Sequence, residues 1–300
     1  MEQDQTIKEL DIRVLLHSLW AGKYLITSLA ILFFVISLIY SLTHPNIYRS
    51  EALLLPKESA SVSNNSIQNS LLAFSGFQLG SQKIINQSDE ALRRIKTFKF
   101  FSENLLERIK LEDIIAVKSW DQKSLKLNYD PSIYDENEKL WVGDNDRLSF
   151  ERQQSAHKKF INGDHLNIFI DPVHGFVEIS MDHESPYIAK EWLEELIVLI
   201  NQLYRNEDKA LALRSISYLN QQLSETSFTE IKAALTELMQ KEIEKLTLIE
   251  ETNEYVFKVM DPPIVSESKI KPNRKFIAIL ASLLGFFIGC LISLVIYSRR

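Results

Sequence analysis

Two stretches without a single Asp, Glu, Lys or Arg constrain this chain more than anything else in it. One, "YLITSLAILFFVISLIYSLTHPNIY", lies between Lys23 and Arg49; the other, "FIAILASLLGFFIGCLISLVIYS", lies between Lys275 and Arg299. A helix needs about 20 apolar residues to cross the hydrocarbon core of a bilayer, and both runs reach that length. The first reads as an uncleaved anchor, not a signal peptide. Its apolar core is too long, some 20 residues precede it and no A-x-A site follows. The expected layout is a tail over residues 1–23, a membrane helix over 24–44, a large domain over 45–275, a second membrane helix over 276–298, and residues 299–300 on the side of the first tail.

Charge orients this layout only weakly. Lys8, Arg13, Lys23, Arg299 and Arg300 flank the spans on the tail side; Arg49, Lys269, Lys271, Arg274 and Lys275 flank them on the other. The tally is near a draw, but long domains translocate largely regardless of charge. That places the tails in the cytoplasm and the domain outside. The region between the tails holds 29 basic and 36 acidic residues, a net charge near −7. Such a balance argues against nucleic acid as a partner. The single cysteine, Cys290, falls within the second run, so the domain has no disulfide and depends on its own core.

Within the domain the periodicities predict an α+β fold. "YRSEALLLP" reads as a strand ending at Pro56, and "KESASVSNNSIQNS" as a polar loop. "SDEALRRIKTFKFFSENLLERIK" reads as helix, with Ser88 as N-cap and an interruption near Thr97. "NYDPSIYDENEKLWVGDND" is turn-rich, and a short helix runs from there to Phe160. "HLNIFIDPVHGFVEISMD" alternates on both sides of a "DPVHG" turn and predicts a β-hairpin. "YVFKVM" reads as a closing strand, stopped by "DPP". At the N-terminus, Ile7, Leu10 and Val14 share one helical face, as a membrane-lying entry helix or the start of the span. Trp20 and Tyr24 stand where interfacial aromatics belong.

The longest signal begins at Ser185, a helix cap, and Pro186, suited to the first helical position. Ala189, Trp192, Leu196, Leu199, Leu203, Asn206, Ala210 and Leu213 then recur at alternating threes and fours, a heptad seam suited to a rod or to oligomerisation. After Leu223, "SFTE" offers a capping box of Ser227 and Glu230. The helix either turns near Ser224–Ser227 and returns as a hairpin or continues to about Thr252; the capping box favours the hairpin. This gives a base over 45–185 and 253–275 and a helical protrusion over 186–252.

In the second span, Ala281, Gly285, Gly289 and Ser293 fall at strict fours and predict a face for close helix packing, against the first span or a neighbouring subunit. Neither span has an ionisable residue in its core, so a channel or pump is not expected. His165, His174 and His183 lie among acids, but their spacing does not make them converge, and no metal or other cofactor is expected. The G-x-S-x-G, H-E-x-x-H and G-x-x-x-x-G-K-[ST] motifs are missing, and catalysis is not expected.

Several segments, in order, carry a resemblance. "LDIRVLLHSLWAGKYLI", "LLAFSGFQLG", "HESPYIAKEWLEELIVLIN" and "YVFKVMDPPIVSESKIKP" followed by "NRKFIAIL" resemble the Wzz-type chain length determinants, type 1 polysaccharide co-polymerases of the bacterial inner membrane. The family's proline-rich return to the membrane is matched by Pro262, Pro263 and Pro272, with Ser266 where the family usually has a further proline. The resemblance implies a membrane-proximal α/β base in the periplasm and a long α-helical hairpin between two transmembrane helices. It also implies a homo-oligomeric ring, acting beside a Wzy-type polymerase on a lipid-linked polysaccharide such as O antigen, without a kinase domain after Arg300. Two rivals predict other features. A membrane-anchored periplasmic adaptor of an export system should carry lipoyl-like β-motifs beside the hairpin, and an envelope glycan enzyme should show turnover.

Overall fold

The computed structural model describes residues 20, 22–57, 86–143 and 146–298. The readings of the N-terminal head, of the polar stretch after Pro56 and of "LLAFSGFQLG" lie outside them. The chain divides into two units, residues 1–46 with 269–300, and residues 47–268.

The first unit is a pair of apolar helices, α1 (Lys23–Thr43) and, at the other end of the chain, α8 (Arg274–Ser298). Both are long and apolar enough to cross a membrane, with mean hydropathies of 2.5 and 2.7. Their approach is set by the missing side chains of two glycines. A Cβ on Gly285 would stand 2.9 Å from the Leu29 carbonyl oxygen and 2.9 Å from Phe33 Cβ; one on Gly289 would stand 2.9 Å from Ile26 Cα. Ser293 is buried one turn further on and Ala281 is half-buried one turn before. Hydroxyls within these helices serve their own backbone: Ser28 donates to the Leu25 carbonyl at 2.9 Å and Ser282 to the Ala278 carbonyl at 2.7 Å. At the head of α1, Lys23 Nζ lies 4.5 Å from the centre of the Trp20 ring and 5.2 Å from that of Tyr24.

The second unit is built on an antiparallel sheet. Its strands β1 (Ile47–Pro56), β6 (Leu166–Ile170), β7 (Val177–His183) and β8 (Phe257–Asp261) lie in the order β6-β7-β1-β8. The predicted hairpin is β6 and β7, in register from Leu166 opposite Met181 to Ile170 opposite Val177. Along β7, Val177, Ile179 and Met181 turn into the core with Ala52 and Leu54 of β1. Small helices close over this face: α2 (Gln87–Ile95), α3 (Phe98–Glu103), α4 (Leu111–Ile115) and α5 (Asp146–Lys159). They contribute Leu92, Ile95, Phe100, Phe101 and Ile114 to the core, and Phe160 follows α5. The turn-rich stretch folds into two short hairpins, β2 (Val117–Asp121) with β3 (Lys126–Tyr129), and β4 (Tyr134–Asp135) with β5 (Leu140–Trp141).

One expected cap differs, and one expected interruption is found. Helix α2 starts one residue before Ser88; Asn86 is its N-cap in extended conformation, and Ser88 is buried in the first turn. The interruption at Thr97 is a new start: Thr97 caps α3, its hydroxyl accepting from the Phe100 amide at 3.3 Å.

Helix α6 (Pro186–Glu225) begins as expected, with Ser185 at the N-cap and Pro186 at its first position. It spans roughly 60 Å, and α7 (Thr229–Glu251) roughly 35 Å, at 1.5 Å per residue. The helix breaks at Thr226–Phe228 and returns. The break is not made by the capping box: Phe228, not Ser227, occupies the N-cap and no side chain caps the helix. Thr226 and Phe228 are both extended, with ψ of 139° and 121°, and that reverses the chain.

Polar side chains are also buried in the base. Arg49 and Asp182 face each other across β1 and β7, with Nε to Oδ1 at 2.6 Å and one terminal nitrogen to Oδ2 at 2.9 Å. Asp182 is 0% exposed, so either residue without the other would leave a charge stranded. Beside them, His183 Nδ1 accepts from the Ser185 amide at 2.9 Å, which places its proton on Nε2, donating to the Asp113 carbonyl at 3.1 Å. His165 Nδ1 donates to the Asp182 carbonyl at 2.8 Å, and its Nε2 is buried without a partner. The two imidazoles stack at 5.8 Å and both pack edge-on against Trp192. Burial pushes both histidines down to about 4, with the charge of His183 adding to the effect on His165.

Two outcomes follow from this packing. Gly289→Leu overpacks the α1–α8 contact and destabilises the pair by about 1–3 kcal/mol, read as a lower aggregation temperature in detergent; Leu283→Ala, at an exposed position, leaves that temperature unchanged. The second outcome concerns pH. Both histidines bind protons more weakly folded than unfolded, so stability is complete above pH ~6.5 and is lost as pH falls toward ~4. Between pH 7 and pH 5 the melting temperature of the protein falls, by the equivalent of about 2 kcal/mol for one such histidine. His165→Asn, whose amide can replace the Nδ1 donor, flattens that slope; an unchanged slope would mean the pair does not titrate on unfolding.

Candidate functional site

The seam on α6 divides into two halves. Ala189, Trp192, Leu196 and Leu199 are buried in the core of the base, and Leu203 packs against it. These residues are therefore covered by the chain's own sheet and small helices, and the expected rod seam does not run through them as a free surface. From Asn206 onward the same stripe emerges: Asn206, Ala210 and Leu213 are exposed. The hairpin's own contact uses a different face, with Ala212 of α6 and Ile249 of α7 buried.

Outside that contact, apolar side chains are exposed among polar ones. Leu211, Leu213 and Tyr218 on α6, and Ile231, Leu238, Ile243 and Leu248 on α7, are exposed, and Phe228 at the reversal is 67% exposed. A groove of about 430 Å³ lined by Leu203, Asn206, Glu207, Ala210, Leu211 and Arg214 opens where the stripe leaves the base. Exposed apolar side chains beside this groove make it the candidate interaction surface of the second unit. A heptad stripe without an internal partner is suited to a second helix.

The root of the arm is held by residues that the periodicity did not single out. Asn201, buried in α6, accepts from the amides of Val256 at 2.8 Å and Phe257 at 3.0 Å, and its own amide donates to the Ile197 carbonyl at 3.0 Å. Arg94 of α2 grips Glu207 with both terminal nitrogens, at 2.8 and 2.6 Å, which holds the guanidinium charged. Asp208 accepts from Tyr255 Oη at 2.5 Å and from Gln87 Nε2 at 3.1 Å. Lys209 pairs with Glu250 at 2.7 Å, and Arg205 reaches the Asn253 side chain at 2.9 Å. Between Asn201 and Lys209, α6 thus collects α2, the end of α7 and the start of β8.

The other singled-out residues lie elsewhere. His165 and His183 are core residues, while His174 sits exposed on the β6–β7 turn, 2.7 Å from Asp171; the three do not meet. Ala281, Gly285, Gly289 and Ser293 line the α1 side of α8. Of the prolines, Pro263 is buried and Pro262 exposed in the second unit. Pro272 precedes α8, follows a cis peptide bond, and accepts the Arg274 amide at 3.0 Å.

Comparison with known proteins places these features. Residues 8–116 match the family model described as "Wzz: Chain length determinant protein". No curated protein matches the chain. Among solved structures the chain is similar to a full-length bacterial polysaccharide co-polymerase, at 13% identity over 95% of this chain and 97% of that one, with a TM-score of 0.40. It is also similar to a fragment of WzzB, a polysaccharide co-polymerase from Salmonella Typhimurium, at 13% identity over 75% of this chain and 100% of that one, with a TM-score of 0.31. The likeness to the Wzz chain length determinant family is thus carried by residues 8–116.

Proposed function

We propose that this protein sets the modal chain length of a surface polysaccharide, O antigen or a related lipid-linked glycan made by a Wzy-type polymerase. It does so as a homo-oligomeric scaffold in the inner membrane, with α1 and α8 as its two spans, its tails in the cytoplasm and residues 45–275 in the periplasm. The observation that carries the reading is the apolar stripe on α6 that outlasts its own core. A base of this size needs only the first four or five turns of α6 to close over its sheet. The remaining turns, with α7, form an arm whose outward face is covered by nothing among the described residues. A second subunit's arm, laid alongside, would bury it.

On this reading the protein makes and breaks no bonds. It organises polymerase and glycan by geometry, and the length of the arm is a structural variable. The spans serve as anchors: helices paired through Gly285 and Gly289, without ionisable groups in their cores, hold the scaffold in place and conduct nothing.

Charges in the stripe test this directly. Ala210→Glu with Leu213→Glu alters only exposed positions, so the fold and its melting temperature remain within about 0.5 kcal/mol of the parent. The particle in detergent falls to smaller species, and a strain carrying the variant loses its modal band on a polysaccharide gel while still making polymer. Retention of both particle size and modal band would refute the scaffold; total loss of polymer would point to an enzyme.

A further inference from the structure

The cations before α8 have no evident use in anchoring or in the arm. Lys269, Lys271, Arg274 and Lys275 stand on the side of the spans opposite the tails, where the sequence bias of membrane proteins gives no reason for them. Arg274 and Lys275 also occupy the first turn of α8, which has no acidic residue. The exposed amides of a helix N-terminus favour an anion there, not a cation.

The geometry sharpens the mismatch. Lys269 Nζ and an Arg274 terminal nitrogen both donate to one oxygen, the Asn46 side-chain carbonyl, at 2.9 and 3.2 Å. Two cations thus converge on a neutral acceptor, and neither has a carboxylate partner among the described residues. Arg274 Nε is buried and has no hydrogen-bond partner. Burial and then the charge of Arg274 hold the Lys269 ammonium below its ordinary range. The uncharged run begins one residue beyond Lys275, so the cluster sits at the border of the apolar span, the depth of lipid phosphates.

We propose that Lys269 and Arg274, positioned by Asn46 and flanked by Lys271 and Lys275, form a site for the phosphate of an anionic membrane lipid. The guanidinium offers the fork for two phosphate oxygens that a carboxylate would otherwise fill, with Nε as its unused tine. Lys269 supplies a second charge from the chain just before the helix. Phosphate chemistry of this kind is shared by a phospholipid headgroup and by a prenyl diphosphate carrier, and the site is built for what they have in common.

The test uses the full chain in neutral phosphatidylcholine nanodiscs. Native mass spectrometry counts bound phosphatidylglycerol in one arm and geranylgeranyl diphosphate in the other, with inorganic pyrophosphate as competitor. Binding of either lipid, weakened about tenfold or more by Lys269→Gln with Arg274→Gln and unaffected by Lys258→Gln in the other unit, supports the site. The arm that binds names the source. Arg274→Lys keeps the charge and loses the fork; it weakens binding less than the double variant and guards against a folding artefact. The proposal is overturned if neither lipid binds, if the double variant binds as the parent does, or if the cluster captures only an acidic protein and no phosphate.

Discussion

The burial of the first turns of α6 against β1 and β7 is the contact on which everything else in the second unit rests. Trp192, Leu193, Leu196 and Ile200 supply one wall of the core, and Leu54, Ile179 and Met181 the other. A helix clamped this way from Ala189 to Tyr204 cannot rotate or swing without opening the core. The exposed remainder therefore inherits a fixed direction from the base. Asn201 strengthens the clamp where the core ends. Its side chain satisfies two backbone amides of the segment entering β8 that would otherwise be buried unpaired. Arg94, Glu207 and Asp208 add ties from outside. Such anchoring separates an arm that can act as a scaffold from a flexible appendage.

Much of this was legible in the sequence, because it depended on local pattern. The two spans follow from length and lack of charge. The β6–β7 hairpin follows from alternation about a Pro-and-Gly turn. The small-residue face of α8 was read from strict spacing by four; a Cβ on Gly285 or on Gly289 would stand 2.9 Å from atoms of α1. The reversal near residue 226 was offered by the Ser227 and Glu230 capping box, beside an unbroken helix as the alternative. Its mechanism differs: Ser227 and Glu230 have the right identities for a capping box, but the extended backbone at Phe228 makes that residue the cap.

What escaped the sequence depended on partners far along the chain. Periodicity gives a face but not what covers it. The same stripe holds Leu196, fully buried, and Leu213, about half exposed. Only the tertiary fold separates the wall of a core from a free surface. Asn201 is one polar residue in an apolar run, and its partners lie 55 and 56 residues away. In the sequence His165 and His183 stand among acids with no sign that they converge; the sheet register brings them together in the core, against Trp192. The pairing of Arg49 with Asp182 likewise needs the β1–β7 register to be known.

The central claim is that the exposed stripe of α6 lies against another copy of the same chain. Cysteine cross-linking in native membranes reads that contact most directly. With Cys290→Ala as background, the only cysteine in the chain is removed, and Ala210→Cys places a single thiol in the stripe. Mild oxidation is predicted to give a covalent species at twice the 34.7 kDa chain mass. The same thiol at Lys258 of β8 should give none. A stripe thiol that stays monomeric under oxidation, in membranes where the protein is abundant, would contradict the account.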